Sequence, residues 1–303
     1  MKILISGASG LVGTSLARVL RREGHTVGRL VRPGGRLEPG DVAWDPTSAS
    51  VDMAQMEGTE AFVHLSGSSI GDGRWTPTRK AVLRSSRVDS TRVLVDAITR
   101  LERKPRVFVC ASAIGYYGDR GDEVLTESSE PGTDFLALLA RDWEAEAVRA
   151  EHGGIRTVRL RYGVILSGAG GALPQMVTPF NLGIGGRFGS GRQWMSWVTL
   201  EDAIEITRLA VTDERFAGPT NVVAPNPVRN DEFVHALAQQ LHRPAIFPAP
   251  AFALRLALGE MADPLLLFSQ RVRPERLLAM NYAFRTADLG SALTSALGGG
   301  FHD

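Results

Sequence analysis

Cysteine is nearly absent: Cys110 stands alone in 303 residues, which excludes a disulfide framework and any zinc site built from Cys-x-x-Cys pairs. Lysine is almost as scarce. Only Lys2, Lys80 and Lys104 occur, so positive charge is carried by arginine, which stays protonated and is a poor proton-tuning group. A charge excess is missing too. Lys plus Arg number 34 against 33 for Asp plus Glu, a net +1, which leaves no global field to gather nucleic acid or an anionic membrane. Any anion must be caught locally. Long apolar runs are also lacking. The opening stretch after Lys2 is broken by Gly7, Ser9 and Gly10 with no cleavage segment behind it, so it reads as a buried first strand rather than a signal peptide. The later stretch "AFALRLALGEMADPLLLF" is cut by Arg255, Glu260, Asp263 and Pro264 and fails as a membrane span. The expectation is a soluble protein of a reducing compartment such as the cytoplasm, with a small-molecule partner, no nucleic acid and no membrane, and with a homodimer left open.

Apolar residues make up 44% and charged ones 22%, ordinary globular values that argue against long disorder. The length suggests one large α/β unit with a smaller appended lobe. Short β-branched runs, "TVGRLV", "AFVHL", "RVFVCAS" and "RTVRLR", follow the first strand Lys2 to Ser6. Helical periodicity at Leu11 to Arg22, Ser90 to Leu101 and Asp134 to Ala150 separates several of them. This alternation predicts a parallel, doubly wound α/β sheet. Ser167 to Arg192 is glycine-studded and reads as a lid or pocket wall. Thr199 to Asp202 reads as a capping box opening a helix. From about Val222 the pattern becomes helices separated by prolines, with short strands expected near Ala245-Ile246-Phe247 and Tyr282-Ala283-Phe284. There is no repeat of solenoid period, and the histidines have no ligand spacing, so no metal is expected.

The opening "ISGASGLVG" carries Gly7, Gly10 and Gly13 between the first strand and the first helix. In such a turn the first glycine permits the bend, the second removes a Cβ that would obstruct a pyrophosphate, and the third lets helix approach sheet. Ser9, Leu11 and Val12 then bring backbone N–H groups and the positive helix end to the phosphates. The end of the second strand reads "GRLVRPGGR", with no acid until Glu38. A carboxylate there would accept from a ribose 2′-hydroxyl; an arginine pairs with a 2′-phosphate. Arg32 therefore points to NADP(H) as the cofactor, with Arg29 or Arg36 able to share the role and a solvated loop arginine as the plainer alternative.

Further motifs follow in order: "HLSG" at His64 to Gly67, "GRW" at Gly73 to Trp75, "SSR" at Ser85 to Arg87, "SAIGYYGDRGDE" from Ser112, "RDWEAEA" from Arg141, and "RPAIFPAPAFALRLALGEMAD" near the end. With the glycine turn they make the chain resemble, essentially end to end, an atypical extended short-chain dehydrogenase/reductase of the "epimerase family protein" group, some members of which carry a cell-division-inhibitor label. The resemblance implies a Rossmann-type nucleotide domain over residues 1–165, with contributions from 195–225, and a smaller C-terminal α/β substrate lobe over 166–303. It also implies cofactor contacts from Leu65, Ser66, Gly67 and Arg87.

The chemistry of that superfamily uses a Tyr-x-x-x-Lys pair on one helix face, where the lysine lowers the phenol's pKa. Four residues beyond Tyr116, Tyr117, Tyr162 and Tyr282 stand Arg120, Gly121, Leu166 and Thr286. The pair is absent. "DFLALLARDWEAEA" offers Phe135, Leu136 and Leu139 there instead, which read as packing. Ser112, at a strand end, is the remaining candidate to donate a hydrogen bond to a substrate oxygen, and Tyr117 the candidate phenol; a backbone-satisfying hydroxyl and a core aromatic are the alternatives. Trp75 and Trp194, with Arg74 and Arg192, suggest a cleft wall for a flat or anionic small molecule, whereas Trp143 and Trp197 read equally well as core. Glu144, Glu146 and Arg149 read as a solvated helix side. Three functions remain: an NADP(H)-dependent oxidoreductase, a catalytically silent NADPH-sensing regulator, and a nucleotide-sugar epimerase or dehydratase.

Overall fold

Interior strands of a parallel sheet are covered on both faces and so read as continuous apolar runs. Lys2–Ser6, Ala61–His64 and Val107–Ala113, in the middle of the central sheet, are written that way. The computed structural model describes residues 1–298, and the sheet comprises β1 (Lys2–Ser6), β2 (Thr26–Val31), β3 (Val42–Asp45), β4 (Ser50–Val51), β5 (Ala61–His64), β6 (Val107–Ala113), β7 (Arg156–Tyr162) and β8 (Gly218–Val222). Their spatial order is β8-β7-β6-β5-β1-β2-β3-β4. Every pairing is parallel except the antiparallel β3 with β4. The Rossmann-type α/β expectation is met.

Helices cover both faces. On one side, α1 (Leu11–Arg22) turns Leu16, Ala17 and Leu20 onto Ile3, Ile5 and Val63, beside residues Ala203, Ile206 and Ala210 of a later helix, Leu200–Thr212. On the other side, α2 (Pro77–Arg84), α3 (Ser90–Ile98) and α4 (Phe135–His152) bury Leu83, Leu94, Ile98, Leu139, Trp143 and Ala147 against Leu4, Phe62 and Phe108. A third apolar cluster joins α5 (Ala172–Asn181), Trp197, α7 (Asn230–Leu241) and α9 (Leu289–Gly298), where α6 denotes Leu200–Thr212 and α8 is Ala251–Leu258.

The helix expected from Ser90 is α3, and a further helix precedes it: Thr76 caps α2 by accepting from the Arg79 N–H, Pro77 occupies its first turn, and a wide π turn at Ser85–Asp89 links α2 to α3. Three local readings are corrected. The Ser167 to Arg192 stretch holds α5, since Leu173, Val177 and Phe180 fall on one buried face despite flanking glycines. Neither Ala245 to Phe247 nor Tyr282 to Phe284 forms a strand. The first contributes only to a loop held by the Phe188–Ala249 bridge, and in the second the Tyr282 hydroxyl instead donates to Asp202. Thr199 does cap α6 by accepting from the Asp202 N–H.

Candidate nucleotide-binding crevice

The chain leaves β1 outward to β2, β3 and β4, then returns to β5 on the other flank of β1. That reversal opens a crevice at the carboxyl ends of β1 and β5, where doubly wound sheets bind ligands. Two glycines allow the strand ends and α1 to close together. At Gly7, with φ of 70°, an added Cβ would lie 2.7 Å from the Leu65 carbonyl carbon and 2.9 Å from the Ser66 nitrogen. At Gly13 it would lie 2.3 Å from the Gly7 oxygen. Gly10 is the N-cap of α1 and provides no side-chain cap, and the first turn carries no acid. The amide N–H groups there are thus left to an incoming anion.

The crevice encloses about 830 Å³ and is lined by Gly7 to Gly10, Arg32, Arg36, Trp44, Asp45, Leu65 to Ser68 and Ser86, among others. Such a volume suits an organic cofactor. Leu11, Val12 and Gly13 form the helical turn behind the lip, and Arg87 sits behind Gly67, its Cζ 3.1 Å from where a Gly67 Cβ would be. Arg87 is only 8% exposed, so it is not a helix-surface charge.

At the far end Arg29 is spent. It meets Asp41 through several hydrogen bonds of 2.5 to 3.1 Å. Burial alone would raise the Asp41 pKa, but the Arg29 guanidinium and the Glu38 and Arg29 N–H groups hold it below the usual carboxylate range. Arg32 is exposed, lines the crevice and pairs with no carboxylate among the described residues. The lining Trp44, Asp45, Thr47, Ser86 and Ser90 escaped the sequence reading, because nothing in their spacing marks them; only the topology brings β3 and the π turn to this crevice.

Beneath the crevice His64 accepts or donates at Ser6 Oγ (2.6 Å) and Ser90 Oγ (3.2 Å), wholly buried. Burial pushes its pKa down to about 3. Between that value and roughly 6.5 the unfolded chain binds a proton that the folded one refuses. The stability contributed by neutral His64 is therefore present above about pH 6.5 and is lost as pH falls, at about 1.4 kcal/mol per unit. Melting scans should show a loss of about 2 kcal/mol between pH 6.5 and 5, and His64→Gln should flatten that slope; an equally steep slope in the variant counts against this assignment.

The proposed catalytic hydroxyls are placed differently from expectation. Ser112 is buried and donates to Glu144 Oε1 at 2.6 Å. Glu144, expected on a solvated helix side, is 4% exposed and receives Arg161 Nε and Nη2 at 2.7 and 2.8 Å. Arg161 Nη1 also donates to the Tyr117 hydroxyl at 2.9 Å, which itself donates to Asn221 Oδ1 at 2.6 Å. Tyr117 is fully buried, and burial raises its pKa to about 12 despite Arg161 nearby. Both hydroxyls are thus committed to a buried network joining β6, α4, β7 and β8. Glu146 and Arg149 do pair at the surface, at 2.8 Å.

The tryptophan wall is not assembled either. Trp75 is buried edge-on against Phe135, its indole N–H donating to the Ile70 carbonyl. Trp194 lies between Arg229 and Arg271, and Trp197 is core. Arg74 donates to the Leu256 and Ala257 carbonyls at the end of α8, while Arg192 is exposed. No cluster of His, Cys, Asp or Glu among the described residues is arranged to hold a metal, and no helix among them is long and apolar enough to cross a membrane.

The sequence profile of the NAD dependent epimerase/dehydratase family matches residues 3–224, and that of a domain of unknown function, DUF1731, matches residues 249–296. The chain is 40% identical over 293 residues to the epimerase family protein MT2273 of Mycobacterium tuberculosis, covering 96% of each. It is 38% identical over 301 residues to the epimerase family protein YfhF of Bacillus subtilis, covering 98% of each. Among solved structures, the human epimerase family protein SDR39U1 (isoform 2) with NADPH superposes with a TM-score of 0.88 at 32% identity, over 98% of this chain and 99% of that one. Glycine turn, crevice topology and likeness along the whole chain agree: the chain belongs to the NAD dependent epimerase/dehydratase family of extended short-chain dehydrogenases/reductases, in its epimerase family protein group.

Proposed function

We propose that the chain binds NADP(H) across the crevice and is an oxidoreductase acting on a small molecule. The observation that carries the choice of nucleotide is the contrast between two neighbouring arginines: Asp41 saturates Arg29, whereas Arg32 stands free at the end of β2. A free guanidinium with no carboxylate beside it receives a 2′-phosphate and gives a 2′-hydroxyl nothing special. The Gly7-Gly10-Gly13 turn and the acid-free start of α1 fit the pyrophosphate. The NADPH held by the human relative supports the same reading. Arg32→Glu should raise the NADPH dissociation constant by about tenfold or more and leave NADH nearly unaffected; a titration in which NADPH affinity is unchanged removes Arg32 from the site.

When bound, the nicotinamide supplies or accepts hydride. The chain's own residues bind and exclude rather than titrate. Ser112 is held by Glu144, Tyr117 is buried with its hydroxyl donating a hydrogen bond to Asn221 Oδ1, and Phe135, Leu136 and Leu139 occupy the start of α4 where acid–base side chains stand in the wider superfamily. This burial favours a second reading, an NADPH-sensing regulator with no turnover. It weighs against a nucleotide-sugar epimerase or dehydratase, whose reaction leans on the missing pair. The deciding experiment follows NADPH fluorescence against aldehydes, ketones, quinones and enones. Protein-dependent oxidation by any of them supports the enzyme, tight binding without consumption supports the sensor, and no nucleotide binding defeats both.

A further inference from the structure

The six most exposed large apolar side chains among the described residues are Leu256, Phe252, Leu182, Ile246, Ile184 and Phe247, at 77% down to 54% exposure. All six fall in two short stretches of the C-terminal lobe, 182–184 and 246–256. The stretches are neighbours. The Phe247 N–H donates to the Gly185 carbonyl at 3.2 Å and the Ala249 N–H to the Arg187 carbonyl at 2.8 Å, and at Gly186 an added Cβ would lie 2.0 Å from the Phe247 oxygen. Pro248 to Pro250 then lead directly into α8, where Phe252 and Leu256, four residues apart, share one face. The sequence of α8, "AFALRLAL", is apolar nearly all round, as in a helix that lies in an interior. Yet alone among α1 to α9 it buries no residue.

A large apolar side chain carries on the order of 150 Å² of surface or more, so these six alone offer about 600 Å². That reaches the upper end of what a monomer usually exposes in one patch, about 300–600 Å², and supplies most of the roughly 800 Å² that each side contributes to a standard interface. The charges flanking α8 are already matched inside the chain: Arg255 pairs with Asp263 at 2.8 Å, and Lys80 with Glu260 at 2.6 Å. A helix neutralised in this way carries no free cation for an anionic membrane and no field to select an oppositely charged protein. It does meet a copy of itself without like-charge repulsion, as a patch on a two-fold axis must. We propose that α8, with the paired runs at 182–185 and 246–249, is the two-fold interface of a homodimer, and that Phe252 and Leu256 stand at its centre. None of the six side chains lines the nucleotide crevice, so the interface is independent of the cofactor reading.

Sedimentation equilibrium of the full chain tests this, with Phe252→Glu plus Leu256→Gln as one variant and Leu182→Gln plus Ile184→Gln as a second. The replaced side chains are exposed in the single chain, and Glu and Gln are good helix formers, so both variants should fold. Wild type should sediment as a dimer at micromolar concentration. The first variant should raise the dimer dissociation constant about a hundredfold or more, the scale of losing side chains from a desolvated centre, and the second about tenfold. A dimer weakened by the first variant alone keeps the proposal and narrows the interface to α8. A dimer that the folded first variant leaves intact overturns it, and should that variant fail to fold, the second decides in the same way. Wild type that stays monomeric at about 100 μM also overturns it, and flotation of that monomer with phosphatidylcholine vesicles would give the face to a lipid surface instead.

Discussion

Glu144→Ala should lower the melting temperature by about 10 °C. Removing one partner of a buried ion pair typically costs about 3–5 kcal/mol, because the remaining charge keeps its desolvation penalty and loses its counter-charge. A chain of this size shifts by roughly 2 °C or a little more per kcal/mol. Here the Arg161 guanidinium would be left 3% exposed, and Ser112 would lose the acceptor of its 2.6 Å hydrogen bond. Burial works to lower the Arg161 pKa and the Glu144 carboxylate more than offsets it, so without Glu144 the balance reverses. The paired replacement, Glu144→Leu with Arg161→Met, should recover much of the loss, since apolar pairs of similar volume often equal or exceed buried ion pairs. Scanning calorimetry of the three proteins decides it. A single variant that melts within about 2 °C of wild type would show that water reaches the pair.

Gly13→Ala should weaken NADPH binding about a hundredfold while changing stability less than its geometry first suggests. Alanine is the better helix former by about 1 kcal/mol, and Gly13 lies inside α1. Against that, its Cβ would sit 2.3 Å from the Gly7 carbonyl oxygen and 2.9 Å from the Ala8 Cα. Both are backbone atoms with no rotamer to move. The start of α1 must withdraw by about an ångström, a displacement of the kind that can cost a hundredfold where groups have to be aligned. Propensity gain and contact strain therefore partly cancel in the melting temperature, while the misplacement of the amides reports fully in the dissociation constant. Fluorescence titration measures the second and thermal melting the first; unchanged affinity would remove the helix N-terminus from the phosphate site.

What could be read in advance was whatever depends on near neighbours in sequence. The strand Lys2–Ser6, the turn glycines, the periodic face of α1 and the Thr199 cap are local patterns with local physical causes, and all are present. The crevice beyond the glycines was only half visible: Arg32 announced itself by the missing acid, whereas Trp44, Asp45 and Ser86 arrive by way of strand order. Glu144 was misread for the same reason. Its helix neighbours Glu146 and Arg149 are solvated, and only the return of β7 beside β6 delivers Arg161 to it. The start of α2 is equally local, a capping threonine at 76 followed by proline in the first turn.

The strand order has one more consequence, for how the molecule is made. β2, β3 and β4 extend the sheet from one side of β1, and then β5, β6, β7 and β8 extend it from the other, each beside a strand of lower residue number. A polypeptide leaving the ribosome amino end first thus meets a docking edge already in existence for every new strand. Within this sheet no strand after β1 has to wait for a partner still to be synthesised, which limits the time that its open edge is offered to other nascent chains.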